Sequence, residues 1–188
     1  MEFVQPIRDK KVIEKIKRVL KKQNMRDYLL FVLGINSGLR ISDLLALKVS
    51  DVVDGDGGIK ERIDIRERKT GKSKDFPIGR NARKAIQECV HSANPDYNSP
   101  LFQSRRGNGA ITRVQAYRIL NEAARIVGIK EKIGTHTLRK TFGYHAYKAG
   151  YDLSQIQKLL NHSSPGVTLR YIGITQDQLD EIYMKLDL

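Results

Sequence analysis

Tryptophan is missing from the 188 residues, cysteine occurs once, as Cys89, and aromatic side chains make up only 7%. One cysteine cannot close a disulfide within the chain, so the fold is expected to rely on packing, as suits a reducing cytoplasm. Long apolar runs are also lacking. The longest, Tyr28 to Ile35, is far short of the ~20 residues that a membrane-spanning helix needs. The N-terminal stretch MEFVQPIRDKK has no apolar segment of the signal-peptide kind. Acidic residues are scarce: 21 Asp+Glu face 34 Lys+Arg, a formal net charge of +13. Such an excess suits a polyanionic partner, of which nucleic acid is the commonest.

Metal chemistry finds little support. One cysteine and four dispersed histidines do not make a zinc site. Asp51, Asp54 and Asp56 crowd a single turn, where such residues form turns more readily than they converge on a cation. A calcium loop starting at Asp54 would place Ile65 where its twelfth position requires glutamate.

The rest of the chain reads as one mostly α domain, 1–188, with a small antiparallel β-sheet inserted in its first third. Val12, Ile13, Ile16, Val19 and Leu20 recur at helical spacing between Asp9 and Lys22. Asn24 is a candidate N-cap for a second helix, ending at Gly38, and a short helix is predicted over Ile41 to Leu47. Turn signals at 54–58 and 69–72 bracket an alternating stretch, so Val52 to Ile78 is read as a sheet of at most three strands. Helices are predicted from Asn81 to Ala93, Thr112 to Val127, Thr135 to Ala149, Asp152 to Leu160 and Gln176 to Leu186, with a short turn around Thr168. The loop from Asn94 to Gly109 is polar.

Four segments are more specific than composition. They are Ser37-Gly38-Leu39-Arg40-Ile41-Ser42-Asp43-Leu44-Leu45-Ala46-Leu47, Lys69-Thr70-Gly71-Lys72, His136-Thr137-Leu138-Arg139, and Leu160-Asn161-His162-Ser163-Ser164 with Tyr171 nine residues after His162. Their order and spacing resemble the tyrosine recombinase (phage integrase) family, over its catalytic domain. Elementary chemistry agrees with the residue types. A phenol can hold a phosphate covalently, and guanidinium groups donate paired hydrogen bonds to phosphate while staying charged. A lysine among cations can give up a proton to a leaving oxygen.

The resemblance implies site-specific recombination of duplex DNA through a 3′-phosphotyrosine link, without metal or nucleotide cofactor. It assigns Arg40 and Arg139 to the scissile phosphate, Lys69 to the leaving 5′ oxygen, His136 and His162 to proton transfer or hydrogen bonding, and Tyr171 to nucleophilic attack. Asp43 supports Arg40. Lys72, Lys74, Arg105, Arg106 and Arg113 are expected to bind DNA. Two positions depart from the usual pattern: Asp43 stands where glutamate is common, and Asn161 where glycine usually precedes the second histidine. Asparagine tolerates a left-handed backbone, so the turn is expected to survive.

A tetramer assembled on DNA is expected, with residues 174–188 as a helix that packs on a neighbouring protomer. The N-terminal clamp domain common in the family finds no counterpart in these 188 residues. Two other functions fit part of the pattern: a DNA-binding protein without chemistry, for which Tyr171 would be dispensable, and a relaxing topoisomerase that makes the same covalent cut.

Overall fold

Local caps decide where the helices begin. In the computed structural model, which describes residues 4–131, 133–174 and 184–185, Asp9 caps α1 (Lys10–Gln23) by accepting from the Lys11 amide at 2.7 Å. Asn24 caps α2 (Met25–Ser37), and Gly38 ends it in the left-handed conformation at φ 62°. The chain turns at once into the short α3 (Ile41–Leu44), which stops three residues before the predicted end. Its successor, a 3-10 turn over Val49–Asp51, leads into the sheet.

Among the described residues the sheet has two strands, β1 (Arg62–Arg66) and β2 (Ser73–Pro77), paired antiparallel with Ile63 opposite Phe76 and Ile65 opposite Lys74. A third strand does not form, because the earlier segment contributes only an isolated bridge between Val53 and Ile59. Next come α4 (Arg80–Ala93), α5 (Arg113–Ile126, capped by Thr112), α6 (Thr135–Lys148) and α7 (Leu153–Leu159, capped by Asp152).

The turn predicted around Thr168 is instead a full helix, α8 (Pro165–Ile172). Its start signal is plain in retrospect: Ser164 accepts from the Val167 amide, and Pro165 occupies the first turn, where a missing N–H costs nothing. The helix predicted over Gln176 to Leu186 lies outside the described residues, apart from 184–185.

The main core packs α2 against α1, α4 and α6, with Leu29, Leu30, Phe31, Val32 and Leu33 all 1% exposed or less. Contact between α2 and α6 is close: a Cβ on Gly34 would lie 2.5 Å from Leu138 Cδ1, and one on Gly38 would lie 2.6 Å from Phe142 Cδ1. A second, smaller cluster of Tyr144, Ile156, Leu160, Ile172 and Ile174 joins α6, α7 and α8. These two cores fix the end of α2, the start of α6 and the end of α8 around one pocket.

Candidate active site

Arg40 is the cap residue of α3, just beyond the left-handed Gly38, so the turn that ends α2 aims its side chain away from the main core. On α6, His136, Arg139 and Lys140 share one face by three- and four-residue spacing. Arg139 is only 3% exposed. Its Nη1 donates to the Gly38 carbonyl and its Nη2 to the Leu160 carbonyl, so the guanidinium ties the end of α2 to the end of α7. Two of its five N–H donors are spent in this way, and a further side-chain hydrogen bond joins it to Tyr171.

Tyr171 sits on the last turn of α8, facing the same pocket of its own chain. Its hydroxyl lies 3.5 Å from His136 Nδ1, its ring meets the His162 ring edge-on at a centroid distance of 4.7 Å, and Lys140 Nζ lies 5.2 Å from its centroid. Burial raises the phenol's pKa, while the charges of Arg139 and Arg40 pull against that rise. Burial also lowers His136 and His162, and neighbouring cations push both the same way: Arg113, Lys140, Arg139 and Lys69 on His136, Arg139 and Arg40 on His162. His162 falls to about 4 and is therefore neutral at physiological pH, with Nδ1 3.2 Å from Thr168 Oγ1.

The hairpin loop between β1 and β2 closes one side. Lys69 is exposed on it, near enough for its charge to act on His136. Lys72 reaches Asn161 Oδ1 at 3.5 Å, and Asn161 holds the left-handed conformation at φ 49°, as its residue type predicts. Lys74 donates to the Leu159 carbonyl at 3.1 Å, and burial together with the charge of Arg139 lowers its pKa to about 8. Arg113 opens α5 beside His136.

Arg105 and Arg106 are not part of this assembly. Arg105 lines a separate surface hollow with Asn24, Met25 and Cys89, at the opposite end of α2 from Arg40, about 20 Å away at 1.5 Å per helical residue. The 104–109 hairpin, closed by a bridge between Gln103 and Ala110, carries both arginines there. Asp43 is buried, but its Oδ2 stands 4.0 Å from Arg40 Nη1, while Oδ1 accepts from the Arg68 amide at 2.9 Å.

The carboxylate that does reach Arg40 is Glu67, 3% exposed, with Oε2 2.8 Å from Nη1. Neither the motifs nor the resemblance singles it out, yet the sequence carries a signal: Ile63, Ile65 and Glu67 share one face of an alternating stretch. An acid therefore stands where a core residue is due. The same alternation puts Lys74 with Phe76 on the inward face of β2, which is why it is the most buried lysine of the hairpin.

Two guanidinium groups from distant parts of the chain thus flank a half-buried phenol, with the Lys140 ammonium over its ring, a geometry suited to a phosphodiester. Residues 8–178 match the model of the phage integrase family. A probable integrase/recombinase, YoeC of Bacillus subtilis, is 46% identical over 183 residues, covering 97% of each chain. The chain belongs to the phage integrase family. Tyrosine recombinase XerC of Thermodesulfovibrio yellowstonii is 34% identical over 169 residues, 85% of this chain and 54% of that protein. The chain thus spans nearly all of YoeC but about half of XerC. Solved structures share the integrase fold: XerA recombinase (21% identity, TM-score 0.77, covering 98% of this chain and 65% of that one) is one. XerH site-specific recombinase bound to its difH substrate is another (20% identity, TM-score 0.74, covering 100% and 54%). Among the described residues of this integrase, no helix is long and apolar enough to cross a membrane.

Proposed function

We propose that this chain cleaves and rejoins duplex DNA through a 3′-phosphotyrosine link, as the catalytic part of a site-specific recombinase. The single observation that carries the reading is Tyr171: its hydroxyl stands 3.5 Å from His136 Nδ1, and although burial raises the phenol's pKa, the Arg139 charge beside it opposes that rise.

Phenol oxygen attacks phosphorus, the bond to the 5′ oxygen breaks, and that oxygen leaves with a proton. His136, kept neutral by burial and surrounding cations, accepts the phenolic proton. Arg40 and Arg139 take the negative charge that develops on the nonbridging oxygens, in a site where their donors are already oriented. His162, neutral with its depressed pKa, acts as a hydrogen-bonding group and not as an acid. Attack by a 5′ hydroxyl of the partner strand reverses each step, so the covalent link conserves the phosphodiester's energy.

Two lysines compete to protonate the leaving oxygen. Resemblance favours Lys69, at the tip of the hairpin; the pKa of about 8 favours Lys74. A bridging sulfur in place of the 5′ oxygen needs no acid to leave. The lysine whose replacement is harmless on that substrate, and harmful on the normal one, is the donor. Lys72 and Arg113 bind flanking phosphates, and the chain works in the cytoplasm as a tetramer on two paired sites.

The test is a nicked suicide duplex from which the cut fragment diffuses away. The protein should form a covalent adduct that withstands denaturation, and Tyr171→Phe should abolish it without weakening binding. Binding without an adduct would favour a protein that grips DNA without chemistry, and supercoil relaxation without strand exchange would favour a topoisomerase.

A further inference from the structure

Arg40 can serve the phosphate only if something fixes its side chain, because a long guanidinium stem at a helix start has many rotamers. Asp43 stands nearest in sequence but does not reach. Its Oδ2 is 4.0 Å from Nη1, and its Oδ1 is engaged by the Arg68 amide. Glu67 reaches, at 2.8 Å. The same Oε2 accepts from the Thr70 hydroxyl at 2.7 Å and from Asn161 Nδ2 at 3.2 Å. One carboxylate oxygen therefore gathers three groups: the first arginine, the residue next to Lys69, and the residue before His162. Lys72 and Lys74 also tie the hairpin to the 159–161 segment, but as donors they cannot bond to Arg40, whereas Glu67 joins all three.

We infer that Glu67 is the positioning residue of this centre: it orients Arg40 and locks the Lys69 turn and the His162 loop to it. This deepens the recombinase reading and rests on it. Glu67 does not touch the phosphate; it acts through the groups it holds. The geometry also explains why a carboxylate as short as Asp43 suffices beside Arg40, since its work is to hold the Arg68 amide and thereby the base of the hairpin loop. Loss of the Glu67 charge frees the Arg40 stem and loosens both loops at once. Small misplacements of catalytic groups cost on the order of 100-fold in rate.

Single-turnover cleavage of the suicide duplex tests this, with DNA affinity and melting temperature measured on the same preparations. Glu67→Gln should slow cleavage about 10- to 100-fold, with affinity nearly unchanged because Arg40 meets one phosphate among many. Asp43→Asn should slow it less. Asp43→Glu adds one methylene, enough to close the gap to Arg40, and should restore most of the rate in the Glu67→Gln background; a merely structural defect would not be repaired in this way. Should Glu67→Gln fail to fold, Glu67→Asp keeps the charge but withdraws it from Arg40, and should show the same rate loss and the same rescue. Wild-type cleavage by a folded Glu67→Gln protein, or no rescue by Asp43→Glu, overturns the inference. An unmodified protein that forms no adduct overturns the recombinase reading instead.

Discussion

Arg139 has two tasks, and replacing it should expose both. Its guanidinium donates to the carbonyls of Gly38 and Leu160, which belong to segments 101 and 21 residues away in the chain. Arg139→Ala leaves both carbonyls in a buried site. Each unpaired buried group costs roughly 1–3 kcal/mol, so the upper bound is about 6 kcal/mol. Two effects reduce it. Burial opposes the arginine's own charge, as its lowered pKa records, so removing the charge returns part of that cost. The emptied space also adjoins the open pocket, where water can reach the carbonyls. A net loss of about 2–3 kcal/mol is expected, a fall of roughly 5–10 °C in melting temperature for a chain of this size. Thermal unfolding followed by circular dichroism measures it. Arg139→Lys should recover little, since one ammonium cannot span both carbonyls. Sulfate should raise the melting temperature of the unmodified protein, by binding only the folded state, and raise that of Arg139→Ala less. An Arg139→Ala protein as stable as the parent, with an equal response to sulfate, would refute the reasoning.

Further predictions follow from the same geometry. His162 has a folded pKa of about 4, below its ordinary 6.5, so the unfolded chain binds the proton more tightly; stability should fall as pH drops from 6.5 towards 4, and His162→Gln should flatten that slope. Glu67 is held at about 2, since hydrogen bonds from Thr70, Arg40 and Asn161 outweigh the upward push of burial; its stabilising effect is complete above 4.5 and should be lost towards 2. Lys74, at about 8, binds its proton less tightly folded than unfolded, so Lys74→Met should remove a gain in stability between pH 8 and 10.5, read by urea unfolding across that window. Gly38→Ala meets both a left-handed backbone and Phe142, and should cost about 2 kcal/mol while displacing the carbonyl that holds Arg139.

Helix ends were legible because they are written in a few residues: Asn24, Thr112 and Asp152 all cap as their side chains predict. The α8 helix was not, because its apolar content is small and its start depends on the Ser164-Pro165 pair. The Arg40, Arg139, His136, His162 and Tyr171 positions were legible through spacing and resemblance. Glu67 was not, since a glutamate next to a turn of lysines reads as solvated surface until the strand's alternation turns it inward. For Arg105 and Arg106 the sequence shows the charge but not its place in the fold, away from the Tyr171 pocket. Charge in a loop says that the loop faces solvent, and only the fold says which end of the molecule it decorates.

The most direct measurement is to digest the trapped protein–DNA adduct and find the modified peptide by mass spectrometry. The account predicts a nucleotide joined through phosphate to the Tyr171 oxygen, in the tryptic peptide that begins at Tyr171 and ends at Lys185. A nucleotide on any other residue, or a stable adduct from Tyr171→Phe, would contradict it.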